Sequence, residues 1–129
     1  MHFNIRPDAP IPIFQQIVSQ VIYLVASGAI DPGESIPSVR DLGEQLTVNP
    51  NTVARAYQIL TEKGILQVKR GLGMEVTEEA PAICRAHRQE IVRTRIREAL
   101  REAVASALPA EDVERLVNEE LHRVNGHRK

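Results

Sequence analysis

The chain has 129 residues, a net charge of −1, 26% charged residues, only 3% aromatics and no Trp, which suits a mainly helical domain with an aliphatic core and a short appendage. Balanced charge excludes a global basic field, and Cys84, the only cysteine, excludes an internal disulfide and fits a reducing compartment. No apolar run approaches the ~18 residues of a membrane span, and the start, MHFNIRPDAP, lacks a signal-peptide core, so a cytoplasmic protein is expected.

Pro7, Pro10 and Pro12 block helix, so residues 1–11 read as an extended arm. A helix begins near Pro12, where the missing N–H costs nothing. Phe14, Ile17, Val18, Val21, Leu24 and Val25 form its apolar face, and Gly28 stops it. Asp31-Pro32-Gly33 is a turn, and residues 34–36 offer a short strand to a later hairpin. Ser38 opens a second helix, with Asp41 placed to complete a capping box. Its Val39, Leu42 and Leu46 point inward. Gly43 sits mid-helix, where it costs about 1 kcal/mol against Ala; close approach of the next helix would explain it.

Thr47-Val48-Asn49 forms a turn, with Asn49 as N-cap and Pro50 as the first residue of a third helix over 50–63. Val53, Ala56, Tyr57 and Leu60 line its inner side, and Asn51, Thr52, Arg55 and Gln58 its outer side. Alternating segments at 65–69 and 74–77, joined by Arg70-Gly71-Leu72-Gly73, make a hairpin with a basic tip. Residues 78–81 read as a hinge. Pro81 opens a helix to about 107 with a stripe of Ile83, Val92, Ile96, Ala99, Leu100, Ala103 and Val104. Leu108-Pro109 breaks it, and a last helix over 110–124 carries Val113, Leu116, Val117, Leu121 and Val124. Residues 127–129 are expected to fray.

The expected fold is thus mainly α with a small β-hairpin. A winged helix-turn-helix occupies 1–77 and a two-helix tail 78–129. Two short helices joined by a tight turn, the second with a polar outer face, suit the DNA major groove. The reader would use Asn49, Asn51, Thr52 and Arg55, since Arg pairs with guanine, Asn with adenine, and Thr meets a thymine methyl. Arg40 is placed for a phosphate or base edge, and Lys69 and Arg70 for backbone or minor groove. Taken singly, each has a plainer reading: Arg55 as a solvated charge, Arg40 paired with Glu44 on its own helix, the RGLG stretch as an ordinary turn. The ordered set of cap, turn, polar face and basic hairpin favours DNA.

At PIFQQIVSQV (12–21), DPGESIPSVRDLGEQL (31–46), VNPNTVARAYQILTEKGIL (48–66) and KRGLGMEV (69–76) the sequence resembles the GntR family of bacterial transcription regulators. VNPNTVARAY resembles its short-tailed, YtrA-type branch. The resemblance implies a winged helix-turn-helix that binds operator DNA as a homodimer, usually as a repressor and often of transporter operons, with a two-helix tail for dimerisation. It carries DNA contacts onto Arg40, Asn49, Asn51, Thr52, Arg55, Arg70 and Gly71. The chain departs from the family at Thr47, where many members carry Gly. A β-branched residue disfavours positive φ, so a different local turn is expected. Ala54 stands where several relatives have Arg, so the family's base preference does not carry over.

Two helices with narrow apolar stripes are marginal alone. A second copy would complete a small bundle through Val92, Ile96, Leu100, Val104, Val113, Leu116, Val117 and Leu121. The dimer would present two readers to a palindromic site. The competing arrangement folds the tail back on its own reader. The tail arginines, interleaved with glutamates, read as solvated or ion-paired faces. Cys84 and His87 are half a metal site at most, and no cofactor, nucleophile or phosphate-loop motif is present; an enzyme is not expected. A small-molecule effector would have little room in the tail and would have to sit between the domains.

Overall fold

The structure, a computed structural model, describes residues 2–71 and 73–126. Its elements run α1 (Ile13–Ala26), β1 (Ser35–Ile36), α2 (Val39–Leu46), α3 (Pro50–Glu62), β2 (Leu66–Lys69), β3 (Gly73–Val76), α4 (Ala80–Ala105) and α5 (Ala110–Gly126). The expected frayed end at 127–129 and the hairpin residue Leu72 lie outside the described residues. Two compact units divide the chain, Met1–Ile91 and Val92–Lys129.

In the first unit, the apolar faces of α1, α2 and α3 meet around Ile17, Val21, Val25, Leu42, Val53, Ala56 and Leu60, all at most 1% exposed. Each large aliphatic side chain so buried contributes about 1.5–3 kcal/mol. Ile22, outside the expected stripe of α1, is equally buried, while Phe14, Val18 and Leu24 are only partly covered. Tyr57 is buried too, and its hydroxyl donates to the Pro37 carbonyl at 2.8 Å, tying α3 to the start of α2.

The sheet is antiparallel with order β1-β3-β2. The expected strand at 34–36 forms: Ser35 opposes Glu75, Ile36 opposes Met74, and the Val76 N–H adds a bond to the Glu34 carbonyl. Val76 and Leu66 face each other across the hairpin and close the core from below the helices. The Thr77 hydroxyl donates to the Gly64 carbonyl at 2.6 Å, pinning the exit of the hairpin to the end of α3.

The arm is held by glutamines. Gln20 and the Asn4 backbone exchange two hydrogen bonds, at 2.7 and 2.6 Å. Gln16 does the same with Arg6, at 2.8 and 2.9 Å, and donates to Ile11 as well. Each amide sets a carbonyl acceptor beside an NH2 donor, the pairing a neighbouring strand would present, and Gln16 uses its second N–H on Ile11. Phe3, on the same arm, is buried with the core.

The first unit ends later than position 77. Helix α4 starts at Ala80, before Pro81; Ala80 and Cys84 are 0% exposed in the core, and Ile83 and Ile91 pack against it. The expected stripe of α4 therefore splits. Ile83 serves the first unit, and the residues from Val92 onward belong to the second.

In the second unit α4 stops at Ala105 and the chain turns through Ala107, which has φ +66. Helix α5 starts after Pro109, as expected, but continues through Asn125 to Gly126. No residue of α5 is buried. Val92, Ile96, Leu100, Val104, Leu116, Val117, Leu121 and Val124 are all exposed, and Val113 is half-buried. Ile96, Ala99, Leu100 and Ala103 of α4 face Val113, Leu116, Val117, Leu121 and Val124 of α5 across an open apolar groove of about 460 Å3. Among the described residues, no helix is long and apolar enough to cross a membrane.

Candidate nucleic-acid interface

The interface is built on the turn between α2 and α3. Ser38 caps α2, its hydroxyl accepting the Asp41 N–H at 3.0 Å. The return half of the expected capping box does not form: no bond links the Asp41 carboxylate to the Ser38 N–H among the described residues. Asp is one methylene shorter than the Glu that usually reaches back. Helix α2 ends at Thr47, whose φ of 55 and ψ of 49 are left-handed. The different turn expected from a β-branched residue is thus not adopted. The Val48 N–H must reach the Gly43 carbonyl, at 2.9 Å, and only this backbone allows it.

Gly43 is explained by the same turn. A Cβ there would lie 2.9 Å from the Val48 carbonyl oxygen and 3.4 Å from Pro50 Cγ. The close approach sets how tightly α3 follows α2. Asn49 then caps α3, its side-chain oxygen accepting the Asn51 N–H at 2.8 Å. This engages the acceptor end of its amide and leaves the NH2 group to donate outward.

Along α3, Asn51 and Arg55 are exposed and Thr52 is half-buried, one or two turns apart on the side opposite Val53, Ala56, Tyr57 and Leu60. Farther along, Gln58 turns to Glu62, at 3.4 Å. The Arg55 guanidinium lies over the ring of Phe14 from α1, 3.8 Å from its centroid. Such a contact contributes about 0.5–1 kcal/mol at an exposed site. Arg55 forms no ion pair or hydrogen bond among the described residues. Arg40 is exposed on α2, and the alternative pairing with Glu44 does not occur.

The hairpin divides its cations. Lys69 is half-buried and lies 3.7 Å from the Glu75 carboxylate and 3.3 Å from the Ser35 hydroxyl. Gln67 donates to the other oxygen of Glu75 at 2.9 Å. Ser35, Glu75 and Gln67 are in register across the three strands, so this face is internally bonded. Arg70 is exposed at the tip, followed by Gly71 at φ +72, a conformation that favours glycine.

Sequence reasoning missed Phe14 as a partner of the outer face of α3, because a ring on an amphipathic helix reads as core. It also missed the engagement of Lys69, which needed the register of all three strands. Other chemistry finds no support in the geometry. Cys84 is fully buried, and burial pushes its thiol up to about 11, away from reactive thiolate. Burial likewise raises the Tyr57 hydroxyl above its ordinary value. Among the described residues, no cluster of His, Cys, Asp and Glu could hold a metal ion.

The family model for bacterial regulatory proteins of the gntR family matches residues 13–76. The HTH-type transcriptional repressor YtrA of Bacillus subtilis is 30% identical over 126 residues, covering 98% of this chain and 97% of that protein. A GntR family transcriptional regulator from Listeria monocytogenes has a similar structure, with a TM-score of 0.66 at 28% identity, covering 87% of this chain and 97% of that one. YtrA from Sulfolobus acidocaldarius, a GntR-family transcription factor, gives a TM-score of 0.57 at 28% identity, covering 95% and 99%. The likeness therefore spans the helical tail as well as the winged unit.

Proposed function

This chain belongs to the GntR family of bacterial regulatory proteins and is a transcriptional regulator rather than an enzyme; from that premise we propose that it is a cytoplasmic repressor that binds a palindromic operator as a homodimer. One observation carries the DNA reading. The outer face of α3 presents Asn51, Thr52 and Arg55 beside an exposed Arg40, with the guanidinium of Arg55 unpaired among the described residues. In this reading Arg55 and Asn51 meet base edges, and Thr52 meets a methyl or phosphate. Asn49 donates its free NH2 to the backbone. Arg40 and Arg70 neutralise phosphates, the Gly71 backbone approaches closely at the wing, and Lys69 adds a weaker, partly compensated charge. The similarity to a protein described as a repressor supports repression over activation.

The second copy is supported by the tail. Val92, Ile96, Leu100, Val104, Leu116, Val117 and Leu121 are exposed, and Val113 lines an open groove with Ile96, Leu100, Leu116, Val117 and Leu121. An apolar face of this extent needs a partner, and a two-fold copy would fill it as a small helical bundle. The functional division is then a reader ending within α4 and a dimerising tail after it. A single reader should bind weakly, since Arg40, Arg55, Lys63, Lys69 and Arg70 face Asp41, Glu44 and Glu62 on the same stretch. Joining two readers raises affinity through effective concentration.

Selection of bound duplexes from a random DNA pool tests the reading directly. A recovered palindrome supports it, and no enrichment over the starting pool refutes it. Arg55→Ala should weaken binding to the recovered duplex by about 1–3 kcal/mol and relax one base position in each half-site. A protein that scatters light as a monomer at micromolar concentration would sink the homodimer.

A further inference from the structure

We propose that Phe14 is a positioning residue for sequence reading: its ring pre-orders the guanidinium of Arg55 on the outer face of α3. The inference rests on the DNA reading above and goes beyond it, because Phe14 lies on α1 and no reading role was expected of it.

Three observations carry it. First, the guanidinium carbon of Arg55 lies over the Phe14 ring, 3.8 Å from its centroid. A cation held over a ring is attracted by the ring's π-face and spends none of its N–H donors on a hydrogen-bond acceptor. The fork that pairs with guanine stays available. Second, Arg55 is the only arginine of α3, since position 54 is Ala, and it has no competing carboxylate partner among the described residues. Its direction is therefore set by Phe14 and not by an ion pair. Third, Phe14 is itself anchored. It packs against the core, and the first turns of α1 are clamped to the arm by Gln16 through Arg6 and Ile11.

The physical consequence is entropic. An arginine on a helix surface samples many rotamers, and immobilising it on a base costs affinity. A ring that already holds it lowers that cost. The opposite outcome, in which Phe14 parks Arg55 away from DNA, would make loss of the ring improve binding, so the sign of the effect decides.

The test uses the full chain and the duplex recovered from the random pool, with single-base variants at the position that Arg55→Ala relaxes. Phe14→Leu should weaken binding roughly three- to tenfold and blunt discrimination at that position alone. Phe14→Tyr, which keeps the ring, should behave as wild type. In the Arg55→Ala background, Phe14→Leu should add nothing. Thermal melting accompanies each variant, and Phe14→Met, which fills the site without a ring, replaces Phe14→Leu if that variant does not fold. Unchanged or tighter binding by the ringless variant, or a loss that adds to that of Arg55→Ala, overturns the proposal. An Arg55→Ala protein with wild-type affinity and base preference removes Arg55 from the reading face, and the role of Phe14 falls with it.

Discussion

Leu60 and Leu121 are the same side chain in opposite situations. Leu60, on α3, is 0% exposed; Leu121, on α5, is 56% exposed. The contrast runs through the two units. Around Leu60, three helices, a sheet and the first turns of α4 close on one another, and among the described residues of this unit Val68 is the one large apolar side chain left exposed. Around Leu121, two helices border an open groove. Both sequences have apolar residues at helical spacing, so the pattern alone does not distinguish them. What differs is the number of faces each region can cover from within itself. The first unit covers its apolar faces from within itself, and the second leaves an apolar groove open to solvent.

The comparison can be broken at matched positions. Leu60→Ala should lower the unfolding free energy by about 2–5 kcal/mol, measured by urea denaturation. Leu121→Ala should leave the unfolding of the first unit within about 0.5 kcal/mol of wild type. Its effect on the proposed dimer should appear in sedimentation, as dissociation at a concentration where the wild type stays associated. If both changes destabilise the first unit equally, the two regions are not independent in the way their burial suggests.

Glycines give a second pair. Gly43→Ala gains about 1 kcal/mol of helix propensity, but its Cβ would sit 2.9 Å from the Val48 oxygen. Overpacking of this kind costs about 1–3 kcal/mol, so a net loss is expected. Gly126→Ala meets nothing within 4 Å and should be nearly silent. The same urea titrations would reveal slack around the turn if Gly43→Ala proved stabilising.

A third pair is formed by the two left-handed residues, Thr47 at φ 55 and Ala107 at φ 66, one in each unit. Such a conformation costs an L-residue about 1–2 kcal/mol; glycine relieves that strain, and its more flexible unfolded chain offsets part of the gain. Thr47→Gly should stabilise the first unit by about 0.5–1 kcal/mol. Ala107→Gly should leave that unit's melting temperature unchanged and alter only the dimer equilibrium.

Much of the first unit was legible because its signals are local. Ser38, Asn49, Pro50 and Gly64 mark helix ends within a few residues of the groups they serve. The outer face of α3 followed from the spacing of Val53, Ala56, Tyr57 and Leu60. The tail stripes were equally readable, and their exposure explains why they looked too narrow. What escaped depends on distant partners. The glutamine clamps join residues from separate segments, and Gln16 or Gln20 on a helix gives no sign of it. The end of the first unit within α4 depends on the core closing over Ala80 and Cys84, small residues that make no stripe. Thr47 adopts a backbone that its side chain opposes, because the bond from Val48 to Gly43 outweighs that preference.

The ion pair between Lys69 and Glu75 has a consequence for counterions. Each phosphate neutralised on duplex DNA releases condensed salt, and the logarithm of affinity falls with slope about −0.9 per contact. A lysine already facing a carboxylate at 3.7 Å contributes less than a full contact. With Arg40 and Arg70, both exposed, as the proposed phosphate contacts, binding should decline gently as salt rises. Discrimination between sites would then persist at ionic strengths that strip a more basic protein from DNA.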